Sequence, residues 1–177
     1  MPTIIAHAAV GGCLARFTPA DVPTGRLALT LAVLAIVPDA DVLAFQLGYE
    51  YGHALGHRGF THSITFALLI ALAATWLLCR NGTATRSKLI VYLLCCVAAT
   101  SHGVLDAFTD AGLGVGFFIP FDSTRYFFPW RPIATSPLSV AAFFDGPALR
   151  ILANEAFYIG MPLLGVLGLT FLIRRHE

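Results

Sequence analysis

The sequence predicts an all-α membrane protein, a bundle of about four to five transmembrane helices with a polar metal site near one membrane face. Three observations predict it. Hydrophobic residues make up 57% of the 177 positions, charged residues only 12%, and mean hydropathy is +0.76. That is the balance of a chain that dissolves in lipid. The apolar residues gather into five runs separated by polar or Pro/Gly breakers. The buried-type His and acidic residues recur at run ends on one side of the membrane, if successive runs alternate in direction. The length fits one integral-membrane domain, residues 1–177. A net charge of +1 gives no case for a nucleic-acid partner.

The first run, Thr3 to Phe17, is short enough for a brief span, a re-entrant segment or an interfacial helix. TPADVPTG at 18–25 is a Pro/Gly turn. The second run, about Arg26 to Gly48, is interrupted by Pro38-Asp39-Ala40-Asp41. The third is Phe60 to Cys79, the fourth Leu89 to about Thr109, and the fifth about Ile151 to Ile173. These four approach the ~20 residues that a spanning helix needs. Residues 110–148 form the longest irregular stretch, rich in Gly, Pro and aromatics, and are read as a loop capping the site. GLGVG at 112–116 is no dinucleotide fingerprint, because no strand–helix unit surrounds it. Cys13, Cys79, Cys95 and Cys96 lie in or beside apolar runs without CxxC spacing and read as small apolar packers.

If all five runs cross, Arg16, Arg26, Arg80, Arg86, Lys88, Arg174 and Arg175 share one side, seven of eleven basic residues. Arg58, Arg125, Arg131 and Arg150 lie on the other. The positive-inside rule makes the first side cytoplasmic. His7, Asp39, Asp41, His57, His62, His102, Asp106 and Glu155 then all fall at the extracytoplasmic end. Ionisable groups at membrane depth cost about 2.5–3.5 kcal/mol each on insertion scales, so such a gathering needs compensation. Bound cations and enclosed water would supply it.

Each motif has its own logic. His102 and Asp106 are four apart, so a helix presents both on one face; an internal His–Asp hydrogen bond is the alternative. Asp39 and Asp41 converge only if Pro38 disturbs the helix; otherwise they are solvated acids at its end. His57 and His62 are five apart and serve one site if His57 is in the loop, His62 is in the first turn and Gly59 allows the bend. Thr61 or Ser63 caps the helix or orients a histidine. Arg58 stays protonated and suits an anion such as phosphate, or a carboxylate or headgroup. His7 and Glu155 are ligand candidates by register; Glu155 also fits a proton carrier or an ion-pair partner. His53 reads as loop-solvated and His176 as a tail residue. Asp110 is the loop acid nearest the site.

HAAVGG, PDAD, GHRGFTHS, SHGVLDAFTDAG and PFDSTRYFFPWRPI, in that order, resemble the YdjM-like family of membrane-bound, predicted metal-dependent hydrolases. The resemblance covers nearly the whole chain, and GHRGFTHS followed by SHxxxD is its specific part. It implies a prokaryotic multi-pass inner-membrane protein with metal-dependent hydrolase activity. The eight residues at the extracytoplasmic end fall where the family's polar positions recur. Asp110 is an acid inserted in the family's Thr-x-x-Gly pattern at 109–112.

The expectation is therefore a two-metal hydrolase. Mixed His and carboxylate ligands suit Zn²⁺, with Mn²⁺ or Fe²⁺ as alternatives. The metals would activate a water and polarise a lipid phosphoester. Asp39, Asp41 or Asp110 would act as base, and Arg58 with Arg125 or Arg131 would hold the phosphate. The competing readings are a metal-ion transporter and a metal-stapled structural protein. The transporter needs ligands at several depths; the staple needs a closed site with no open position.

Overall fold

The computed structural model describes residues 1–79 and 82–175, so Arg80 and His176 lie outside the described residues. The architecture is all-helical: α1 Ile4–Cys13, α2 Thr24–Leu34, α3 Ile64–Leu78, α4 Thr85–Ala107, α5 Val140–Phe144, α6 Ala148–Glu155 and α7 Met161–Arg175. Among the described residues there are only two isolated bridges and no strand.

Among the described residues, three continuous stretches are long and apolar enough to cross a membrane: Thr24–Leu47, Thr85–Ala107 and Ala148–Ile173. Ile4–Phe17 and Ile64–Leu78 are shorter apolar helices. The third run thus yields less helix than its apolar length suggests. Its first residues, Phe60–His62, wind as a 3₁₀ turn, and Ser63 then caps α3 by accepting from the Phe66 N–H. The fifteen residues that remain span about 22 Å.

Small residues set the packing. Ala67, Ala71 and Ala74 line one face of α3 and meet Val91, Cys95 and Ala98 of α4, with Leu27, Leu31 and Leu34 of α2 closing the core. Close approach of backbones replaces hydrophobic drive where the solvent is lipid. Leu68, Leu69, Leu72, Trp76 and Leu77 on the other face of α3 are exposed, as a lipid-facing surface requires. The four cysteines are unpaired, and Cys95 is a core packer. At the end remote from the polar cluster, Asp21 accepts from the Ala84 N–H and the Ser87 hydroxyl, tying the first turn to the start of α4.

The 110–148 stretch is less irregular than its composition suggests, since Val140–Phe144 forms α5 behind an N-terminal cap by Ser139. Its first part is sewn onto the 57–64 segment. Gly116 N–H donates to the Arg58 carbonyl, Ile64 N–H to that of Phe117, and the Arg125 guanidinium to that of His57.

Candidate metal centre

Four segments deliver the polar residues to one end of the bundle. Ala6, His7 and Gly11 form the buried side of α1. Gly11 is required there, because a Cβ would come within 2.4 Å of the Leu31 carbonyl oxygen on α2. Val37–Leu47 winds as a 3₁₀ helix with Pro38 in its first turn. Residues two apart are then about 120° apart rather than about 160° as in an α-helix. Asp39 and Asp41 are both buried as a result. Gly59 has no room for a side chain, since the Ala54 carbonyl oxygen would lie 2.2 Å from its Cβ. On α4, His102 and Asp106 share the buried face, both at 0% exposure.

The histidine tautomers follow from their partners. His102 Nδ1 lies 2.7 Å from the Ala35 carbonyl oxygen, which can only accept. His102 therefore carries its proton on Nδ1 and turns the Nε2 lone pair inward. Pro38 creates this acceptor. It is the residue that would bond Ala35 in a 3₁₀ turn, and it has no N–H. The Asp39 N–H, the α-helical alternative, donates to Ile36 instead. His62 Nδ1 lies 3.1 Å from Asp41 Oδ2 and 3.1 Å from Thr61 Oγ1. The Thr61 hydroxyl already donates to Asp41 Oδ2 at 2.8 Å, so it accepts from His62. In the neutral ring the Nε2 of His62 then also offers a lone pair inward.

The two Nε2 atoms lie 3.0 Å apart, within hydrogen-bond distance. Asp39 Oδ1 lies 3.2 Å from the Nε2 of His102 and 3.8 Å from that of His62. Asp106 Oδ2 lies 3.4 Å from the Nε2 of His62 and 4.0 Å from that of His102. Four atoms of ligand type thus crowd one point. Ligands about 2.0–2.1 Å from a tetrahedral ion would stand about 3.3–3.4 Å apart. Asp39, His62, His102 and Asp106 form a buried group able to hold a metal ion, as do Asp41, His57 and His62. Both oxygens of Asp39 and of Asp106, and both ring nitrogens of His7, are buried without a hydrogen bond. They meet only ion-pair contacts, such as Asp106 Oδ2 with Arg58 Nε and Asp106 Oδ1 with His7 Nε2; buried polar atoms without a hydrogen bond are uncommon and point to a cation or another polar group.

The other candidates are placed differently. His7 stacks on His102, centroids 3.8 Å apart, with Nε2 3.7 Å from Asp106 Oδ1. His57 faces Asp41, its Nδ1 donating to Oδ1 at 2.7 Å. Arg58, at 1% exposure and φ +61°, points inward: Nε lies 3.0 Å from Asp106 Oδ2, Nη2 donates to Thr109 Oγ1 and Nη1 to the Ala111 carbonyl. Arg125 is likewise turned onto the carbonyls of Tyr51, His53 and His57. Arg131 is exposed and lies over the Phe127 ring at 4.7 Å.

Two expected site residues stand outside the cluster. The Glu155 carboxylate accepts from the N–H and hydroxyl of Thr3 at the start of α1, and so fastens α6 to α1. Asp110 accepts from the N–H and hydroxyl of Thr135. Burial raises its pKa, but those bonds outweigh the effect and hold its carboxyl below the ordinary range. His53 is exposed, its ring accepting from the Leu55 N–H. Sequence reasoning missed the Ala35 carbonyl and Thr109. Pro38 was the available signal for the first, and the Thr-x-x-Gly pattern at 109–112 for the second.

A profile described as YdjM inner membrane protein matches residues 1–176. The chain belongs to the YdjM family. The chain is also similar to the inner membrane protein YbcI of Escherichia coli (strain K12), 35% identical over 176 residues, covering 99% of this chain and 100% of YbcI. No solved structure matches. YdjM-family membership and the apolar helices together support an integral inner-membrane location. The chain is thus a YdjM-family membrane protein with a buried His/Asp cluster able to hold a metal ion.

Proposed function

We propose that this protein is a membrane-embedded metal-dependent hydrolase acting on a phosphoester of a lipid or lipid-linked substrate, with its site toward the extracytoplasmic face. The carrying observation is a surplus of buried polar atoms. Asp39 Oδ1, Asp106 Oδ2 and the Nε2 atoms of His62 and His102 converge on one point. Asp39 Oδ2, Asp106 Oδ1 and the His7 ring are left over, still without a hydrogen bond. A staple needs only the converging atoms; a hydrolase also needs the others.

A divalent cation held by this set would polarise a phosphoryl oxygen and acidify a water. Asp39 Oδ2 is the best-placed base, since it is not one of the converging atoms. Asp41 is hydrogen-bonded to His57, Arg58 and Thr61, and Asp110 to Thr135 outside the cluster. With Arg58 and Arg125 turned onto protein groups, the phosphate contact falls to Arg131, beside exposed Trp130. Aromatic and basic residues together suit headgroup depth. The apolar core of Leu27, Leu31, Ala71, Val91, Cys95 and Ala98 beneath the cluster speaks against a metal transit path.

The test is hydrolysis of phospholipid and lipid-phosphate vesicles by full-length protein loaded with zinc or manganese. Turnover abolished by chelator, restored by metal and absent in Asp39→Asn is the expected result. Metal retained stoichiometrically without turnover of any phosphoester would favour the structural staple. That second reading rests on a specific observation: the four converging side chains are at most 7% exposed, and their ligand atoms lie within 4.8 Å of one another.

A further inference from the structure

We propose that this site takes one divalent ion, on Asp39, His62, His102 and Asp106, and that Asp41 is a positioning residue that aims His62 at it. The inference rests on the metal-site reading above and concerns how the two overlapping clusters divide.

The two carboxylates of the PDAD motif differ in what they already hold. A carboxylate offers about four lone-pair directions. Asp41 has three hydrogen-bond donors and one further close contact: His57 Nδ1 donates to Oδ1 at 2.7 Å, Arg58 N and Thr61 Oγ1 donate to Oδ2 at 3.1 Å and 2.8 Å, and His62 Nδ1, shared with Thr61 Oγ1, lies 3.1 Å from Oδ2. Oδ2 is thus fully occupied, and Oδ1 keeps one direction at most, beside the His57 ring. Two of those four groups are ring nitrogens of the histidines that would have to be its co-ligands. A ring nitrogen that carries a proton toward Asp41 is not a ligand. Asp39 is the reverse case, with neither oxygen in a hydrogen bond.

The second cluster is therefore the support of the first. Carboxylate, histidine and ion in line is the usual way a protein fixes a ligand ring's tautomer and raises its basicity. Here Asp41 acts on His62, and the Ala35 carbonyl does the same for His102. His57 braces Asp41 from the far side, packed edge-on against the Tyr51 ring at 5.1 Å. Charge agrees with one ion. Within the two clusters, Asp39, Asp41 and Asp106 are opposed by the buried guanidinium of Arg58, which leaves two negative charges for one divalent cation to neutralise.

The experiment is zinc content by mass spectrometry on full-length detergent-purified protein, with zinc-edge X-ray absorption on the same samples. Wild type should hold one zinc with two imidazoles and no metal–metal scattering near ~3.5–4 Å. His57→Gln should keep that ion. Asp41→Asn should keep it at saturating zinc, with apparent affinity about 10–100-fold weaker. Asp39→Asn should lose it. Two zincs in wild type, falling to one in Asp41→Asn, would overturn the single-ion assignment and leave a metal protein standing. An ion lost in His57→Gln but kept in Asp39→Asn would overturn it by placing the ion on the other cluster. No zinc in intact wild type would overturn both readings. The wild-type and His57→Gln measurements decide the matter even if Asp41→Asn fails to fold.

Discussion

Arg58 Nε lies 3.0 Å from Asp106 Oδ2, and the guanidinium that makes this contact is at 1% exposure. A residue whose charge suggested an anionic substrate instead completes the protein's own interior. Removing one member of a buried ion pair strands the other, at a cost of about 3–5 kcal/mol. Arg58→Gln should therefore lower thermal stability in detergent by that order. Unchanged melting with a raised KM for a phosphoester would return Arg58 to a substrate-binding role.

Glu155 should behave as a clamp between α6 and α1. Glu155→Gln keeps the shape but weakens the bonds from Thr3, which are charge-assisted. A loss of about 1–2 kcal/mol is expected, with metal content unchanged. A proportional fall in bound zinc would make Glu155 a ligand.

Asp110 gives a pH signature. Its folded carboxyl titrates below the ordinary range, so its contribution to stability is present above the unfolded pKa of about 4. That contribution is lost as pH falls through the folded value. The melting-temperature gap between wild type and Asp110→Asn should be small near neutral pH and close on acidification. A gap that widens in acid contradicts the assignment. Hydrolysis should survive the substitution, because Asp110 faces Thr135.

Gly11 holds α1 against α2. A methyl group there meets the Leu31 carbonyl at 2.4 Å and the Ala35 Cβ at 2.8 Å. Gly11→Ala should cost about 1–3 kcal/mol by overpacking and should displace His7, one turn away. Circular-dichroism melting reads the first effect. Loss of phosphoester turnover at unchanged zinc content reads the second.

The PDAD, HRGFTHS and SHGVLD segments fixed which residues would meet. Apolar runs must align with the membrane, and polar groups inside them must find one another there. Alternating run directions already gathered these residues at one end of the bundle, while the structure leaves Glu155 and the expected base Asp110 outside the cluster. Their partners, Thr3 and Thr135, lie far along the chain or in a loop whose path has no periodic signal. The inward turn of Arg58 depended on a left-handed backbone at φ +61° and on acceptors at 109 and 111, and these exist only once the loop is folded. The division between Asp39 and Asp41 was also a tertiary matter. The motif makes the two acids equivalent by composition. Which one keeps its lone pairs depends on where His57, Thr61 and His62 send their protons, and that is set by the three-dimensional path of the 57–62 segment.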